Sequence, residues 1–166
     1  MIAAIITFVL TNLPAFLLAL AFALAAIPGP RSLAERLLDW ILLLAFGVTG
    51  LWAGFYHIAY GDMAAAYIGW QPSPFQFEVG MADLAFGVTA IVAFWRGMDF
   101  KAAAILAGSV FLLGDAVGHV HQMIATGNFA PGNAGVPFVT DIAVPALAIA
   151  LWFVVRRRET AFGRPA

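Results

Sequence analysis

Long apolar stretches, separated by short polar breaks, occupy most of the chain. Five of them are long enough to cross a bilayer as α-helices, which rise about 1.5 Å per residue. They lie at approximately 1–27, 33–59, 74–95, 100–125 and 137–155. We therefore predict an all-α polytopic membrane bundle of five transmembrane helices. It would form one domain over 1–158, followed by a short cytoplasmic tail at 159–166.

The first stretch, Met1–Ile27, has no positively charged segment at its start. Such a segment is typical of a cleaved signal peptide, so we expect a retained helix. Asn12 and Pro14 interrupt this helix. Because proline removes one backbone hydrogen bond, a kink is predicted at this point.

Short polar motifs predict where other helices begin. Ser32 and Glu35 have the spacing of a capping box, in which each side chain bonds the backbone N–H of the other residue. The range Ser73–Gln76 has the same spacing, with proline at the first helical position, and Asp99 is suited to cap the fourth span. Between the second and third spans, 63–70 is too short to cross and is expected at the membrane interface.

The basic residues predict the orientation of the bundle. They occur in three regions, at Arg31 and Arg36, at Arg96 and Lys101, and at Arg156, Arg157, Arg158 and Arg164. Five spans place all three regions on one side, and the positive-inside rule makes that side cytoplasmic. We therefore expect the N-terminus outside and the C-terminus inside, in the cytoplasmic (inner) membrane of a bacterium, surrounded by membrane lipids.

Composition supports the membrane assignment and excludes several classes of function. The 166 residues are 63% hydrophobic and 10% charged, with a mean hydropathy of +0.95, whereas soluble domains are about 25% charged. The chain has no cysteine, which excludes disulfides, thiolate metal sites and cysteine nucleophiles. It also lacks the basic patch that nucleic-acid binding requires, so no nucleic-acid partner is expected.

The segment Leu112–Met123 places one carboxylate and two imidazoles inside an apolar span. Asp115 and His119 are four residues apart and share a helix face, whereas His121 lies on a different face. Ionisable residues inside a membrane usually face the bundle interior or a wet cavity. The other groups predicted in the same outer half of the bundle are His57, Glu78, Asp83 and Asp141.

No lysine or arginine accompanies these acids, so they need a cation, a proton or an imidazolium as partner. We therefore predict a cation or proton site, with Asp83, Asp115 and His119 at its core and His57 and Glu78 as further ligands. His121 and Asp141 are secondary candidates. Mixed imidazole and carboxylate ligands suit divalent Zn, Fe or Mn, and methionine sulfur at a similar depth keeps Cu open.

Other interpretations of the same groups remain open. The acids and histidines also fit a hydrogen-bonded cluster that holds helices together, or favourable positions at helix ends and interfaces. An outer-leaflet enzyme acting on a lipid or isoprenoid would use His119 and a carboxylate as acid and base, in a pocket lined by Phe75, Phe77 and Phe86. An accessory subunit of a membrane complex would show tight packing around Asp115. Five short helices are few for a transport path, so a homo-oligomer or a partner membrane subunit is expected.

Two small-residue patterns bear on helix packing. Gly114 and Gly118 form a small-xxx-small pair that predicts a close approach of another helix to the fourth span. The word LAFGVT occurs at Leu44–Thr49 and again at Leu84–Thr89. It is either a trace of an inverted repeat or a chance match in a chain drawn from few residue types, and we favour chance.

The segments SPFQFEVGMADLAFG, from Ser73, and GHVHQMIATGNFAPGNAG, from Gly118, give the chain a family resemblance. It resembles a family of small bacterial and archaeal integral membrane proteins of unknown function. The resemblance extends from about Gly69 to the end of the fifth span, and is weakest over the first helix. It implies a small multispan membrane protein and no assigned activity.

Overall fold

A computed structural model describes residues 1–161, except for the side chains of Glu159 and Ala161, and shows an all-α protein. Arg164 and the rest of the predicted tail at 162–166 lie outside the described residues. The helices are α1 (Ile2–Thr11), α2 (Leu13–Ala26), α3 (Leu33–Ala59), α4 (Gly61–Ile68), α5 (Phe75–Ala93), α6 (Met98–Thr126), α7 (Pro131–Ala134) and α8 (Val136–Ala161). The middle of α3, at Ile41–Val48, has π-helical hydrogen bonding.

Several of these helices are long and apolar enough to cross a membrane. Four spans meet that test, at Leu33–Ala59, Phe75–Ala93, Met98–Thr126 and Pro131–Arg158, and α1 with α2 makes a fifth if the bent pair is one span. The exposed surface has the same apolar character. On α6 the side chains of Leu106, Val110, Val117 and Ile124 are between 68% and 81% exposed. Soluble proteins seldom expose such a continuous apolar face, so it is typical of contact with lipid.

The predicted kink in the first stretch is confirmed, and it is a sharp one. The axes of α1 and α2 meet at 72°. Asn12 occupies the bend, where its side-chain amide donates to the carbonyl of Phe8 at 2.8 Å. The hydroxyl of Tyr67 on α4 donates to the carbonyl of Thr11 at 3.3 Å. Burial raises the pKa of Tyr67, which keeps the hydroxyl protonated as this donor.

Helices α3 and α5 pack closely because glycines remove side chains from their contact. A Cβ atom on Gly50 would lie 2.9 Å from the carbonyl oxygen of Asp83, and one on Gly54 would lie 2.7 Å from that of Gly80. A Cβ on Gly87 would lie 3.0 Å from the carbonyl oxygen of Gly47. Gly47 and Gly87 are the glycines of the two LAFGVT words, so the two words meet in this contact.

The predicted close approach at Gly114 and Gly118 is wrong. Nothing lies within 4 Å of a Cβ built on either residue. Both glycines instead line a cavity. The sequence pattern identifies small residues on a helix, but it does not distinguish space filled by a neighbouring backbone from space left open.

One end of the bundle, the basic end, is held by ion pairs among Arg31, Asp39, Lys101, Asp99 and Arg156. Asp39 is 1% exposed and Lys101 is 6% exposed. The Lys101 ammonium bonds one carboxylate oxygen of Asp39, and the Arg31 guanidinium lies 2.5 Å from the other. At the surface, a carboxylate oxygen of Asp99 lies 3.8 Å from a guanidinium nitrogen of Arg156. Residues from the predicted first loop, third loop and C-terminal region therefore meet at the same end.

The helix starts agree with the predicted caps in one case of three. The Ser32–Glu35 capping box is confirmed, with both reciprocal hydrogen bonds present, at 2.7 and 3.3 Å. The box predicted at Ser73–Gln76 is wrong, because α5 begins without a side-chain cap and Gln76 bonds His57 instead. Asp99 is not the cap of α6, which begins at Met98, two residues before the predicted start, with Gly97 at its N-cap position.

Candidate functional site

The end of the bundle away from the ion pairs contains a cavity of approximately 570 Å³. Its walls come from the α1–α2 bend, the second half of α3, α4, α5, α6 and the start of α8. Five of the predicted site residues line it, namely His57, Asp83, Asp115, His119 and Asp141. Glu78 and His121 are not among the lining residues and are exposed. The structure therefore brings together most, but not all, of the predicted groups.

The spacing on α6 explains why several chemically different side chains reach the cavity together. Phe111, Asp115 and His119 follow one another at intervals of four residues. Residues with this spacing share one face of a helix. All three line the cavity. On α5, Asp83 and Phe86 are three residues apart and also share a face that lines the cavity.

His119 is held by a hydrogen-bond network that the sequence did not predict. Its Nδ1 atom lies 2.8 Å from Oδ1 of Asn133, which is fully buried. The amide nitrogen of Asn133 donates to the carbonyls of His119 and Asn128, at 3.2 and 2.9 Å. Because these two carbonyls only accept, the amide oxygen must face the imidazole. Nδ1 of His119 therefore carries a hydrogen and donates it to Asn133.

The other ring nitrogen of His119 is left for the cavity. Nε2 lies 3.5 Å from Oδ2 of Asp141, whose side chain is 13% exposed. With Nδ1 protonated, a neutral His119 presents an unprotonated Nε2 beside that carboxylate. A charged His119 forms an ion pair with it. The pair can therefore take up or release one proton at a defined atom.

The loop that carries Asn133 is itself closely held. The Asn128 side chain donates to the carbonyl of Ile68 at 2.9 Å and accepts from the backbone N–H of Ala130 at 3.0 Å. A Cβ on Gly132 would lie 2.7 Å from the carbonyl oxygen of Tyr67, so this position requires glycine. This segment lies between the fourth and fifth predicted spans, at 100–125 and 137–155. Its two asparagines, each next to a glycine, were the available signal.

Asp83 and Asp115 have no comparable partners. Asp83 is 8% exposed. Within residues 1–161 neither aspartate makes a hydrogen bond, and neither forms an ion pair with a lysine or arginine. Asp83, Asp115 and Asp141, which we call the cavity carboxylates, lie close enough for their charges to repel one another. No lysine or arginine occurs among the described residues that line the cavity. The cavity therefore concentrates acidic groups, and His119 is the adjacent group that can carry a compensating positive charge.

His57 contributes at the edge of this arrangement. Its Nδ1 atom lies 2.6 Å from Oε1 of Gln76, so the end of α3 is tied to the start of α5. This contact uses the Gln76 side chain that the sequence assigned to a cap. His57 also lines the cavity. It is carried by α3, whereas the His119–Asp141 pair is carried by α6 and α8.

The metal site predicted from the sequence is not supported. Across the described part of the chain, no three or more His, Asp or Glu side chains are placed to hold one metal ion. One physical reason is visible, because Glu78 and His121 are exposed outside the cavity.

Aromatic rings form much of the remaining wall. Trp52 and Tyr56 lie with ring centroids 4.5 Å apart, and Phe86 and Phe111 lie 4.9 Å apart. All four line the cavity. Of the three phenylalanines predicted to line a pocket, only Phe86 does so. Phe75 and Phe77 are 68% and 57% exposed and are not lining residues.

Comparison with known families gives one match. The profile of a family of unknown function, DUF6790, matches residues 4–161. The chain belongs to this family. The match includes the first helices, whereas the resemblance in the sequence was expected only from about Gly69 onward. No curated protein and no solved structure matches the chain.

Proposed function

We propose that this chain is an integral membrane protein that binds a cation or protons in the cavity. The observation that carries the proposal is the presence of Asp83, Asp115 and Asp141 around one cavity that no described lysine or arginine lines. His119 would adjust the net charge by gaining or losing a proton beside Asp141. His57, at the edge, would be a further polar contact.

A carboxylate removed from water without a counter-charge is strongly disfavoured, and neighbouring carboxylates disfavour one another further. Three of them are stable in an apolar bundle only if protons or a cation neutralise them. A cavity beside them provides the space for that neutralising group. The open space beside Asp115 differs from the tight packing expected of a purely structural cluster.

We also propose an orientation of the bundle in the membrane. If the basic end lies in the cytoplasm, as the positive-inside rule favours, the cavity lies in the outer half of the membrane. We propose five spans, with α1 and α2 together as the first, in a bacterial inner membrane. Because five short helices are few for a transport path, we also propose that the protein associates with a second copy or with a partner membrane subunit.

Carbodiimide labelling tests the proposal on the wild-type protein. Apolar carbodiimides modify protonated carboxyl groups in apolar surroundings, and peptide mass spectrometry locates the modified residue. We expect labelling at the cavity carboxylates, slowed by raising pH or by a cation such as Na⁺, Zn²⁺ or a tetraalkylammonium ion. Asp39, whose charge is already paired, serves as the internal control and should remain unlabelled. Labelling that no cation and no change of pH affects would contradict the proposal.

A second candidate function rests on the His119–Asp141 pair. A histidine with one fixed tautomer, its second nitrogen beside a carboxylate and an apolar cavity in front of it, is arranged as a general acid and base. An enzyme acting on a lipid or isoprenoid would use it for proton transfer. Turnover of such a substrate by the purified protein, lost in His119→Gln but retained in His121→Gln, would support this function over simple cation binding.

A further inference from the structure

The cavity is much larger than a metal ion or a proton requires. At approximately 570 Å³ it has the size of a site for a small organic molecule, for which about 300–1,000 Å³ is typical. Resting on the proposed function, we infer that the cation is an organic ammonium ion. Its charged nitrogen lies among the cavity carboxylates, and its apolar substituents contact the aromatic walls.

The aromatic rings are placed next to the acids along each helix. Phe111 precedes Asp115 by four residues on α6, and Phe86 follows Asp83 by three on α5. The two phenylalanine rings meet at 4.9 Å. The ring faces of aromatic side chains attract cations, and aromatic walls are a recurrent means of binding quaternary ammonium groups. Carboxylates and aromatic rings on one surface therefore match an ion that is both charged and apolar.

Asp83 provides an independent reason to expect a ligand. It is more than nine-tenths buried, it lines the cavity, and no hydrogen bond or ion pair from residues 1–161 satisfies its carboxylate. Buried polar groups are almost always bonded, so an unbonded one that faces open space indicates a missing partner. A substituted ammonium group supplies the opposite charge without needing several well-placed ligands.

The cavity is kept open by glycine. Gly114 and Gly118 line it, and no atom lies within 4 Å of a Cβ on either residue. A glycine in the middle of a helix is less favourable than an alanine. At Gly114 and Gly118 no close backbone contact offsets this loss of helix stability, whereas the glycines between α3 and α5 do make such contacts. The space beside these two glycines is available to the apolar part of a ligand.

A bare metal ion fits these observations less well. It needs several ligands at short, fixed distances, and the described residues present no group of three or more candidate side chains at such a spacing. An ammonium ion with organic substituents needs only opposite charge, aromatic contact and volume. The cavity supplies all three.

Binding of benzyltrimethylammonium tests the inference. The protein is placed in nanodiscs of phosphatidylglycerol, and affinity is measured by calorimetric titration, with neopentylbenzene, the neutral carbon isostere, as the comparison. We expect saturable binding of the cation, with an affinity at least about tenfold above that of the neutral compound, because the nitrogen's charge meets the carboxylates.

Matched variants locate the site. Asp83→Asn should weaken binding about tenfold or more, whereas Glu78→Gln, an exposed acid on the same helix, should leave it unchanged. Gly118→Leu should abolish binding by filling the cavity, and Val117→Leu, on the exposed face of α6, should not. Since Asp→Asn retains shape and Gly118 has no close neighbour, both test variants are expected to fold.

Nanodiscs that contain phosphatidylcholine identify the source of the ligand. If the choline headgroup of a lipid occupies the cavity, the apparent affinity for benzyltrimethylammonium falls in these discs. If the natural ligand is a free amine, the affinity is the same in both lipids when it is measured at a salt concentration that screens the negative charge of phosphatidylglycerol. Either result supports an ammonium site, provided that binding depends on Asp83.

The inference and the proposed function fail in different ways. Equal binding of the neutral isostere, or a benzyltrimethylammonium affinity unaffected by Asp83→Asn and Gly118→Leu, would overturn the inference. Carbodiimide labelling that responds to protons or metal ions, but not to benzyltrimethylammonium, would also overturn it while leaving the proposed function intact. A labelling rate that neither a cation nor a change of pH alters would contradict both the inference and the proposed function.

Discussion

Asp39 and Asp83 are both buried aspartates, on α3 and α5, but their surroundings are opposite. Asp39 is 1% exposed and contacts Lys101 and Arg31. Asp83 is 8% exposed, with two other carboxylates near it and open space in front. Two aspartates that are buried to a similar degree therefore have different roles. At the basic end a counter-charge within the chain makes the acid structural, whereas in the cavity the counter-charge has to come from outside.

The packing around the acids also differs between the two ends of the bundle. Beside Asp39 lie large side chains that are fully buried, such as Leu38, Ile41 and Leu42. Beside Asp115 lie Gly114 and Gly118, with nothing within 4 Å of either added Cβ. Asp39 is closely packed and paired with basic side chains, whereas the cavity carboxylates lie beside open space without a lysine or arginine among the described lining residues. A substitution of the same type should therefore have opposite effects at the two ends.

Asp39→Asn is expected to have the largest effect on stability. It leaves the Lys101 ammonium buried without its carboxylate, and breaking a buried ion pair in this way costs about 3 kcal/mol or more. The free energy of unfolding in mixed micelles measures it. Asp99→Asn, at the exposed pair with Arg156, is the control and should cost about 0.5 kcal/mol or less. Equal effects of the two variants would remove the distinction between a structural ion pair and a surface one.

Asn133→Ala should cost about 2 kcal/mol, because two backbone carbonyls and Nδ1 of His119 each lose a buried hydrogen bond. It should also release the tautomer of His119, which ¹⁵N chemical shifts of the imidazole report. Asn12→Ala, at the α1–α2 bend, is a control that should leave those shifts unchanged. Unchanged His119 shifts in Asn133→Ala would show that Asn133 does not position the imidazole.

Glycine-to-alanine changes compare filled and open space directly. Gly54→Ala places a Cβ 2.7 Å from the carbonyl oxygen of Gly80, so it should destabilise the protein by about 1–3 kcal/mol. Gly118→Ala meets no neighbour and should stabilise α6 by up to about 1 kcal/mol. The same unfolding assay measures both. Destabilisation by Gly118→Ala would mean that the cavity is filled by the protein itself.

Asp83→Asn should have the smallest effect on stability, and its sign should be opposite to that of Asp39→Asn. Asparagine has nearly the shape of a protonated aspartic acid and cannot acquire a charge that repels the other cavity carboxylates, so stability should be unchanged or higher by about 1 kcal/mol in the absence of ligand. Unfolding of both variants under one condition checks this. A large loss of stability in Asp83→Asn would show that its carboxylate is a structural partner.

Hydropathy was sufficient to predict the helices of membrane length, because a run of apolar residues constrains a helix without knowledge of its neighbours. The Ser32–Glu35 box was predictable for the same local reason. The box at Ser73–Gln76 failed because Gln76 has a non-local partner, His57, that competes for its side chain. Local motifs therefore predict well only where no distant residue offers a better bond.

The candidate site was predictable in part. Depth along each span placed Asp83, Asp115, His119 and Asp141 at one level, and the fold brings them to one cavity. Depth does not determine the direction in which a side chain points, so Glu78 and His121 were assigned to the site although both are exposed. Asn133 was missed because its role depends on how a loop folds back onto α6, which no local pattern records.

Infrared difference spectroscopy observes the protonation of the cavity carboxyl groups themselves. We predict that adding a bound cation to the wild-type protein removes a carboxylic-acid C=O band and creates a carboxylate band. The change should disappear in Asp83→Asn with Asp115→Asn, and persist in Glu78→Gln. A spectrum without such a change in the wild type, under conditions in which the cation binds, would contradict the account that the cavity carboxylates take their counter-charge from a ligand.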